Sequence, residues 1–595
     1  MIKPGSDVDN VSAVIFEQRI RFLARHIAEL LVRTSRSNTF ALVRDFAVGI
    51  YNPSGQMLYQ TGIPILSFAI NPCLKNILKY FTASASNQTD VVRDIFPGDV
   101  ILHNDVYSGG NQNNDWGIYK PVFYKDRLVA WACAKGHMAD SGGGTAGGYD
   151  PTSSEIWQES LRIPPLKVFE NGRLRRDVWD MVFANVRYQV VADDVNAMIG
   201  SCTMGEREIL KLLERYGAGR FLQYQDYLLT ASERYVRGVV SKWQDGEFHG
   251  ESFMNSDGVT PNKKYRIAVD IIKRDSEINF DFSGTDAQAP SYTNMPESAS
   301  LGAASVAFLM LLRPGDDNYF NEGLFTPLKA HFPLGSILNP RFPAATTMGN
   351  QIADQVIEAV MRALAKPLPE RVIAGWNFMC GLKWAGTDPR TGDQYVDFGF
   401  FCEKGGGAAV EGTDGMSGID DSKNGGSKVS IDVEMLEATS PVTVIEYEYR
   451  PDSAGAGQFR GGYGTKSRIR FDGEETSIAT FGDGVESEGA SPPYGLFGGK
   501  SGALNRFTLV FPDGKRYTMG SKEMVKSVPK GAIIEIMTGG GGGYGDPAKR
   551  SRTKILREIE KDLLSLNKAI SDYGIRPNET KDMRPIQDLG KNDQS

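Results

Sequence analysis

The chain has 595 residues, too many for one hydrophobic core, since a single core stops growing at about 250–300 residues, so two or three packed lobes are expected. Its 41% hydrophobic and 23% charged residues exclude a disordered chain. A net charge of −7 argues against a nucleic-acid groove, which normally needs a basic stripe, and no apolar run approaches the ~20 residues of a membrane span.

In chain order, Met1-Ile2-Lys3-Pro4-Gly5-Ser6-Asp7 is not the basic-then-apolar start of a secretory leader, so a cytoplasmic setting is expected. Residues 12–34 predict an amphipathic helix: Ile15, Ile20, Leu23, Ile27, Leu30 and Leu31 recur at helical spacing behind a Ser12 cap. Residues 44–51 read as a strand closed by the turn Asn52-Pro53-Ser54-Gly55, and Phe96-Pro97-Gly98-Asp99 turns into a short strand at 100–102. A hairpin follows around Lys125-Asp126, then a long helical region over residues 178–235. Short strands and turns run from Trp243 to Thr285. Helices are expected near residues 298–312 and 350–365, and strands with glycine-rich turns from 374 to 546. A charged helix at 549–573 and a frayed polar tail complete the chain. The fold class is mixed α/β (α+β) and multi-lobed. The expected division is an α/β lobe at 1–242, a middle α+β lobe at 243–370, a glycine-rich β-dominated lobe at 371–548, and a helix with its tail at 549–595.

The five cysteines, Cys73, Cys133, Cys202, Cys380 and Cys402, include no CxxC pair. That argues against a disulfide framework or zinc ribbon and fits a reducing compartment. Cys133 lies in an apolar run from Leu128 to Ala134 and reads as a small buried residue rather than a nucleophile. Gly539-Gly540-Gly541-Gly542-Gly543-Tyr544-Gly545 could cradle an anion, but no Lys, Ser or Thr follows to meet phosphate. A tight backbone crossing is the favoured reading. Neither GxxxxGK[ST] nor a strand-linked GxGxxG is present, so any ATP must be handled elsewhere.

Of the five histidines, His26, His249 and His331 lack clustered carboxylates and read as structural or surface residues. His137 stands where a strand ends in Met138-Ala139-Asp140-Ser141-Gly142-Gly143-Gly144. His103 opens a polar run that ends at Asn111-Gln112-Asn113-Asn114-Asp115. Polar groups are costly to bury without a purpose, and these two loops are the candidate metal or substrate site.

Several blocks resemble the hydantoinase B/oxoprolinase family. Asn104-Asp105-Val106-Tyr107-Ser108-Gly109-Gly110 is similar to its Asn-Asp-Pro-Tyr-x-Gly-Gly. His137-Met138-Ala139-Asp140-Ser141-Gly142-Gly143 is similar to its His-x-Ala-Asp-Val-Gly-Gly, and Arg44-Asp45-Phe46 to its strand start. Asp452 to Gly462, Pro493 to Gly499 and Gly539 to Pro547 match further blocks in collinear order. The family comprises subunits of ATP-dependent cyclic-amide hydrolases and of ketone carboxylases. The resemblance implies a hetero-oligomeric complex in which hydantoinase A-like subunits use ATP with magnesium. In metal-binding members a divalent ion, zinc or manganese, is held by an Asp, a His-x-x-Asp pair and a later His. Carried over, these are Asp45, Asp115 and His137, but Gln112 stands where the pair's His belongs, and an amide oxygen is a poor substitute for imidazole. His103 is a candidate to compensate.

The expected catalytic residues are thus Asp45, Asp115, His137 and Asp140. Tyr107, Gln112 and Trp116 would meet the substrate, and Arg44 would hold Asp45 or an anionic oxygen. The degraded metal motif favours the ketone-carboxylase branch, the acetophenone carboxylases above all. There a ketone and bicarbonate would yield a 3-oxo acid in a site with no use for water. A cyclic-amide hydrolase subunit is the first alternative, and a non-catalytic scaffold for the ATP-binding subunits the second.

Overall fold

The computed structural model describes residues 10–82, 94–313 and 320–576. The first sheet has seven antiparallel strands in the order β2-β1-β5-β4-β3-β6-β7. They are β1 (Phe46–Tyr51), β2 (Met57–Gly62), β3 (Val100–His103), β4 (Asp115–Tyr124), β5 (Arg127–His137), β6 (Leu166–Glu170) and β7 (Arg173–Leu174). Both faces of its centre are buried. On one side Val48, Ile50, Trp116, Ile118 and Ala132 pack against Phe16, Ile20 and Ile27 of α1 (Asn10–Thr34). On the other, Ala47, Tyr51, Tyr119, Trp131 and Cys133 join a second core. This double burial explains why β5 reads as a continuous apolar run rather than an alternating one.

The short helix α2 (Asn38–Ala41) leads into β1, and α3 (Pro64–Thr82) packs on the second face of the sheet. That second core takes Ile65, Leu66 and Ile70 from α3 together with Phe280, Ala303, Phe308, Ile357 and Val360, so it draws on residues from both sides of position 242. The one-turn helix α4 (Ile156–Glu159) precedes the long helical region. This region is three helices, α5 (Arg176–Phe183), α6 (Gln189–Tyr216) and α7 (Ala218–Val240), the last two parted at Gly217 by its positive φ of 75°. A four-stranded sheet follows: β8 (Gly246–Met254), β9 (Tyr265–Arg274), β10 (Glu277–Asp281) and β11 (Leu328–His331). Helices α8 (Glu297–Leu312) and α9 (Ala353–Ala363) complete this layer. No helix among the described residues is long and apolar enough to cross a membrane.

The last part holds two antiparallel sheets. One is ordered β13-β12-β16-β19, from β12 (Cys380–Thr387), β13 (Gln394–Phe398), β16 (Glu474–Gly482) and β19 (Met524–Val528). The other is ordered β14-β15-β20-β17-β18, from β14 (Val442–Tyr449), β15 (Thr465–Phe471), β17 (Arg506–Val510), β18 (Arg516–Met519) and β20 (Ile533–Met537). Helix α10 (Val433–Thr439) precedes β14. The expected terminal helix is two, α11 (Arg552–Glu560) and α12 (Leu566–Tyr573), and the polar tail lies outside the described residues.

The glycine-rich blocks meet backbone to backbone. A Cβ on Gly541 would stand 1.9 Å from the carbonyl oxygen of Gly407, and one on Gly540 1.9 Å from that of Ser453. Gly541 N donates to Gly462 O at 3.0 Å and Gly542 N to Gly375 O at 2.7 Å. The run at 539–545 is therefore the tight crossing, its N–H groups spent on neighbouring carbonyls. Arg460, in the same layer, pairs with Glu558 at 2.7 Å.

Candidate functional site

The site is built at one end of the first sheet, where three backbone segments converge. Asp115 opens β4 and His137 closes β5, and the two are direct partners across that strand pair. His137 N donates to Asp45 O at 3.1 Å, placing Asp45 beside them at the entry to β1. Arg44, in the left-handed region with φ 61°, turns the chain so that its own side chain points out to Glu29 at 2.8 Å. Asp45, Asp115 and His137 line one small cavity with Gln112, Tyr149, Asn350, Gln351, Lys423 and Lys428. Met379, Phe398, Phe400 and Phe481 supply its apolar wall. Its volume of about 40 Å3 is room for a few atoms of a ligand or a few waters.

Inside the cavity the polar groups form one hydrogen-bonded set. His137 Nδ1 lies 2.9 Å from Asp115 Oδ1. Asp115 Oδ2 accepts from Asn111 Nδ2 at 2.5 Å and Asn350 Nδ2 at 3.2 Å. Gln112 Nε2 donates to Tyr149 OH at 2.8 Å and to Thr347 O at 2.7 Å, while its Oε1 accepts from Asn350 Nδ2 at 3.0 Å. The ring of Tyr149 stacks on Phe481 with centroids 4.1 Å apart. Buried Glu159 anchors the segment carrying Thr347, accepting from the backbone N–H groups of Thr346 and Thr347 at 2.8 Å each.

Electrostatics separate the acids into roles. Burial pulls the His137 pKa down, but the hydrogen bond and charge of Asp115 and the charge of Asp45 outweigh it, so it stands above its ordinary value. Asp45 is raised, chiefly by burial, although Lys428 and His137 pull the other way. A second group of charges includes the two lysines that line the cavity. Lys428 Nζ is 2.9 Å from Glu403 Oε2 and 3.9 Å from Asp420 Oδ1. Lys423 pairs with Asp421, and with Asp354 at 3.4 Å. Burial raises Asp421, and the neighbouring Asp420 charge takes it to about 7.

The other expected residues lie elsewhere. Asp140 is fully buried and bonds Gly142 N, Gly147 N and the Arg187 guanidinium, so it shapes the glycine loop and does not face the cavity. Trp116, next to Asp115, alternates to the opposite face of the sheet and packs in the α1 core. Tyr107 lines a separate cavity of about 340 Å3 and donates to Ala344 O at 2.7 Å. His103 bonds Ser108 Oγ at 2.8 Å and does not reach the site, and burial pulls its pKa down to about 3. It cannot compensate for Gln112.

The expected metal ligands therefore fit a divalent ion poorly. Both Asp115 oxygens and one His137 nitrogen are already committed to protein partners, and the Gln112 amide is held by three others. Among the described residues no three His, Cys, Asp or Glu side chains form a group that could hold a metal ion. Lys423, Lys428, Tyr149, Asn350 and Phe481 were not expected at the site. The dense polar run Asp420-Asp421-Ser422-Lys423-Asn424 among glycine-rich strands was the one signal that could have pointed to part of this set.

With this geometry in view, the comparisons with known proteins define the class. Residues 9–547 match the family described as Hydantoinase B/oxoprolinase, and the chain belongs to that family. It is 30% identical over 581 residues to caprolactamase subunit beta of Pseudomonas jessenii, covering 96% of each chain. The crystal structure of the ATP-dependent caprolactamase from that organism superposes with a TM-score of 0.86 at 28% identity, over 96% of this chain and 98% of that one. A nucleotide-free acetone carboxylase superposes with a TM-score of 0.85 over 96% of this chain and 80% of that one; at 18% identity this likeness is one of fold. These likenesses bear out the family and the mixed α/β fold. The narrower expectation of an acetophenone carboxylase gains nothing from them, since the whole-length relative caprolactamase subunit beta is named for a cyclic amide.

Proposed function

We propose that this chain is the substrate-site subunit of a cytoplasmic, ATP-dependent complex that opens a cyclic amide, with ATP and magnesium used on a hydantoinase A-type partner. The observation that carries the reading is the His137–Asp115 dyad, which faces a small cavity beside Asp45, in a chain similar over its whole length to a caprolactamase subunit. Asp115 holds the ring of His137 by Nδ1 and leaves Nε2 for the cavity. His137 Nε2 takes a proton from the attacking water as it adds to an activated amide carbon, Asp115 stabilises the imidazolium that forms, and the adduct collapses by breaking the ring C–N bond as the imidazolium returns its proton to the leaving nitrogen. The aromatic wall limits water to the few molecules the cavity admits. No step needs a metal ion, in keeping with the committed donors.

A second reading is ketone carboxylation with bicarbonate, favoured by Gln112 in place of a metal-binding His. The test is the complex purified with its ATP-binding partner and supplied with ATP and magnesium. Ring opening of a lactam, a hydantoin or 5-oxoproline, lost in Asp115→Asn, supports the first reading. Incorporation of labelled bicarbonate into a ketone with no amide turnover replaces it with the second.

A further inference from the structure

The committed metal donors leave a question of which group in this cavity carries fixed positive charge toward the substrate. We infer that Lys428 does so: its ammonium stands in place of a divalent ion and meets the oxygen of the bound ligand, while Asn350 Oδ1 accepts from the ligand's N–H. The inference rests on the proposal above in taking this cavity as the site of a cyclic amide.

Lys428 is buried and lines the cavity. An ammonium has three N–H groups, yet among the described residues Lys428 hydrogen-bonds one acceptor, Glu403 Oε2 at 2.9 Å. Asp420 Oδ1 is farther, at 3.9 Å, and the Phe400 ring lies 4.7 Å away. Lys423, by contrast, has Asp421, Asp354 and Met379 as acceptors and no N–H to spare. A buried N–H left unbonded is costly, and the cavity is the place where its partner would sit. The flanking acids keep Lys428 charged: burial lowers its pKa, but Asp420, Glu403 and Asp45 more than reverse this.

Asn350 supplies the complementary half. It is buried, its Oδ1 has no hydrogen-bond partner, and it lines the same cavity. Its orientation is set by chemistry, because Nδ2 must face the acceptor-only carboxylate of Asp115 at 3.2 Å. One free donor and one free acceptor facing a small cavity match the C=O and N–H of a secondary amide. The charged donor is also suited to an oxygen that gains negative charge when the carbonyl is attacked.

The experiment uses the full chain in its complex, with δ-valerolactam and its N-methyl derivative as probes and binding measured by calorimetry after dialysis against zinc or manganese and then against buffer. Wild type is expected to hold no stoichiometric metal, to bind δ-valerolactam equally with and without EDTA, and to bind the N-methyl probe at least ~10-fold more weakly. Lys428→Met is expected to weaken δ-valerolactam binding by about 10- to 100-fold and Lys428→Arg to recover part of it. Because Lys428→Met leaves Glu403 without its ion-pair partner, Lys428→Met/Glu403→Gln serves as the charge-balanced control for folding. Stoichiometric metal whose removal abolishes binding would overturn the inference. So would a Lys428→Met/Glu403→Gln protein that binds as wild type does, or a wild type that binds neither probe. Failure of amide turnover alone, with Lys428-dependent binding intact, would sink the proposed reaction and leave this assignment standing.

Discussion

His137 Nδ1 lies 2.9 Å from Asp115 Oδ1 because the two residues are direct partners at the open end of the β4–β5 pair. Strand register, rather than a loop, sets the geometry of the dyad, and side chains placed by rigid elements keep their alignment. Asn111 and Asn350 then hold the second carboxylate oxygen, so Asp115 has no freedom to rotate away.

Activity should therefore follow the neutral form of His137. Its pKa is raised above 6.5, with burial opposing and the Asp115 bond and charge prevailing, so kcat is expected to climb along an acid limb lying above pH 6.5. Asp115→Asn should lower kcat by about 10²- to 10⁴-fold and move that limb down in pH. A pH–rate profile of the two proteins checks this.

The same shift fixes a sign for stability. A histidine with a raised folded-state pKa contributes in full below its unfolded value of about 6.5 and loses the contribution as pH rises through the folded value. The Tm of wild type should fall across that window more than the Tm of Asp115→Asn, as thermal scans at stepped pH will show.

Glu159 predicts a second pH effect. Burial raises it, and the two backbone N–H bonds only partly oppose this, leaving it at about 8 against an ordinary 4.5. Its protonated form is favoured in the folded state, so its contribution to stability is full below about pH 4.5 and lost as pH rises through about 8. Glu159→Gln should flatten the decline in Tm between pH 5 and 8, approximate bounds set by those two values. It should also loosen Gln112 through Thr347 O, read as a weaker substrate affinity.

Gly541→Ala should behave as a folding variant. Its Cβ would meet the Gly407 carbonyl at 1.9 Å, and both partners are backbone that cannot step aside. A loss of about 3 kcal/mol is expected, seen as a lower denaturant midpoint or as insoluble protein. ATP binding to the partner subunit should be unchanged in any complex that still assembles.

All five cysteines are free and buried. Burial raises the Cys133 thiol well above its ordinary value. Native protein should react with a thiol reagent only on unfolding, and Cys133→Ala should retain activity. A fast-reacting thiol whose loss abolishes turnover would contradict this.

Many of the elements, the mixed α/β class and the polar loops around His103–Asp115 and His137 were legible in the chain itself, because local periodicity and glycine placement follow from backbone sterics within a few residues. The pairing of Asp45, Asp115 and His137 was legible only through resemblance to a family. Helix α3 was not anticipated, its Pro72 lying inside the helical span. What the tertiary structure alone decided is the rest of the cavity. Asn350 is 235 residues from Asp115 along the chain, and Lys428 comes from the loop between β13 and α10. No local pattern encodes such distant convergence. Asp140, Trp116 and Tyr107 show the converse: they neighbour the site in sequence, yet strand alternation and loop hydrogen bonds turn them away from the cavity. The backbone decides which residues are near, but the side of the strand and the packing of remote segments decide which ones meet.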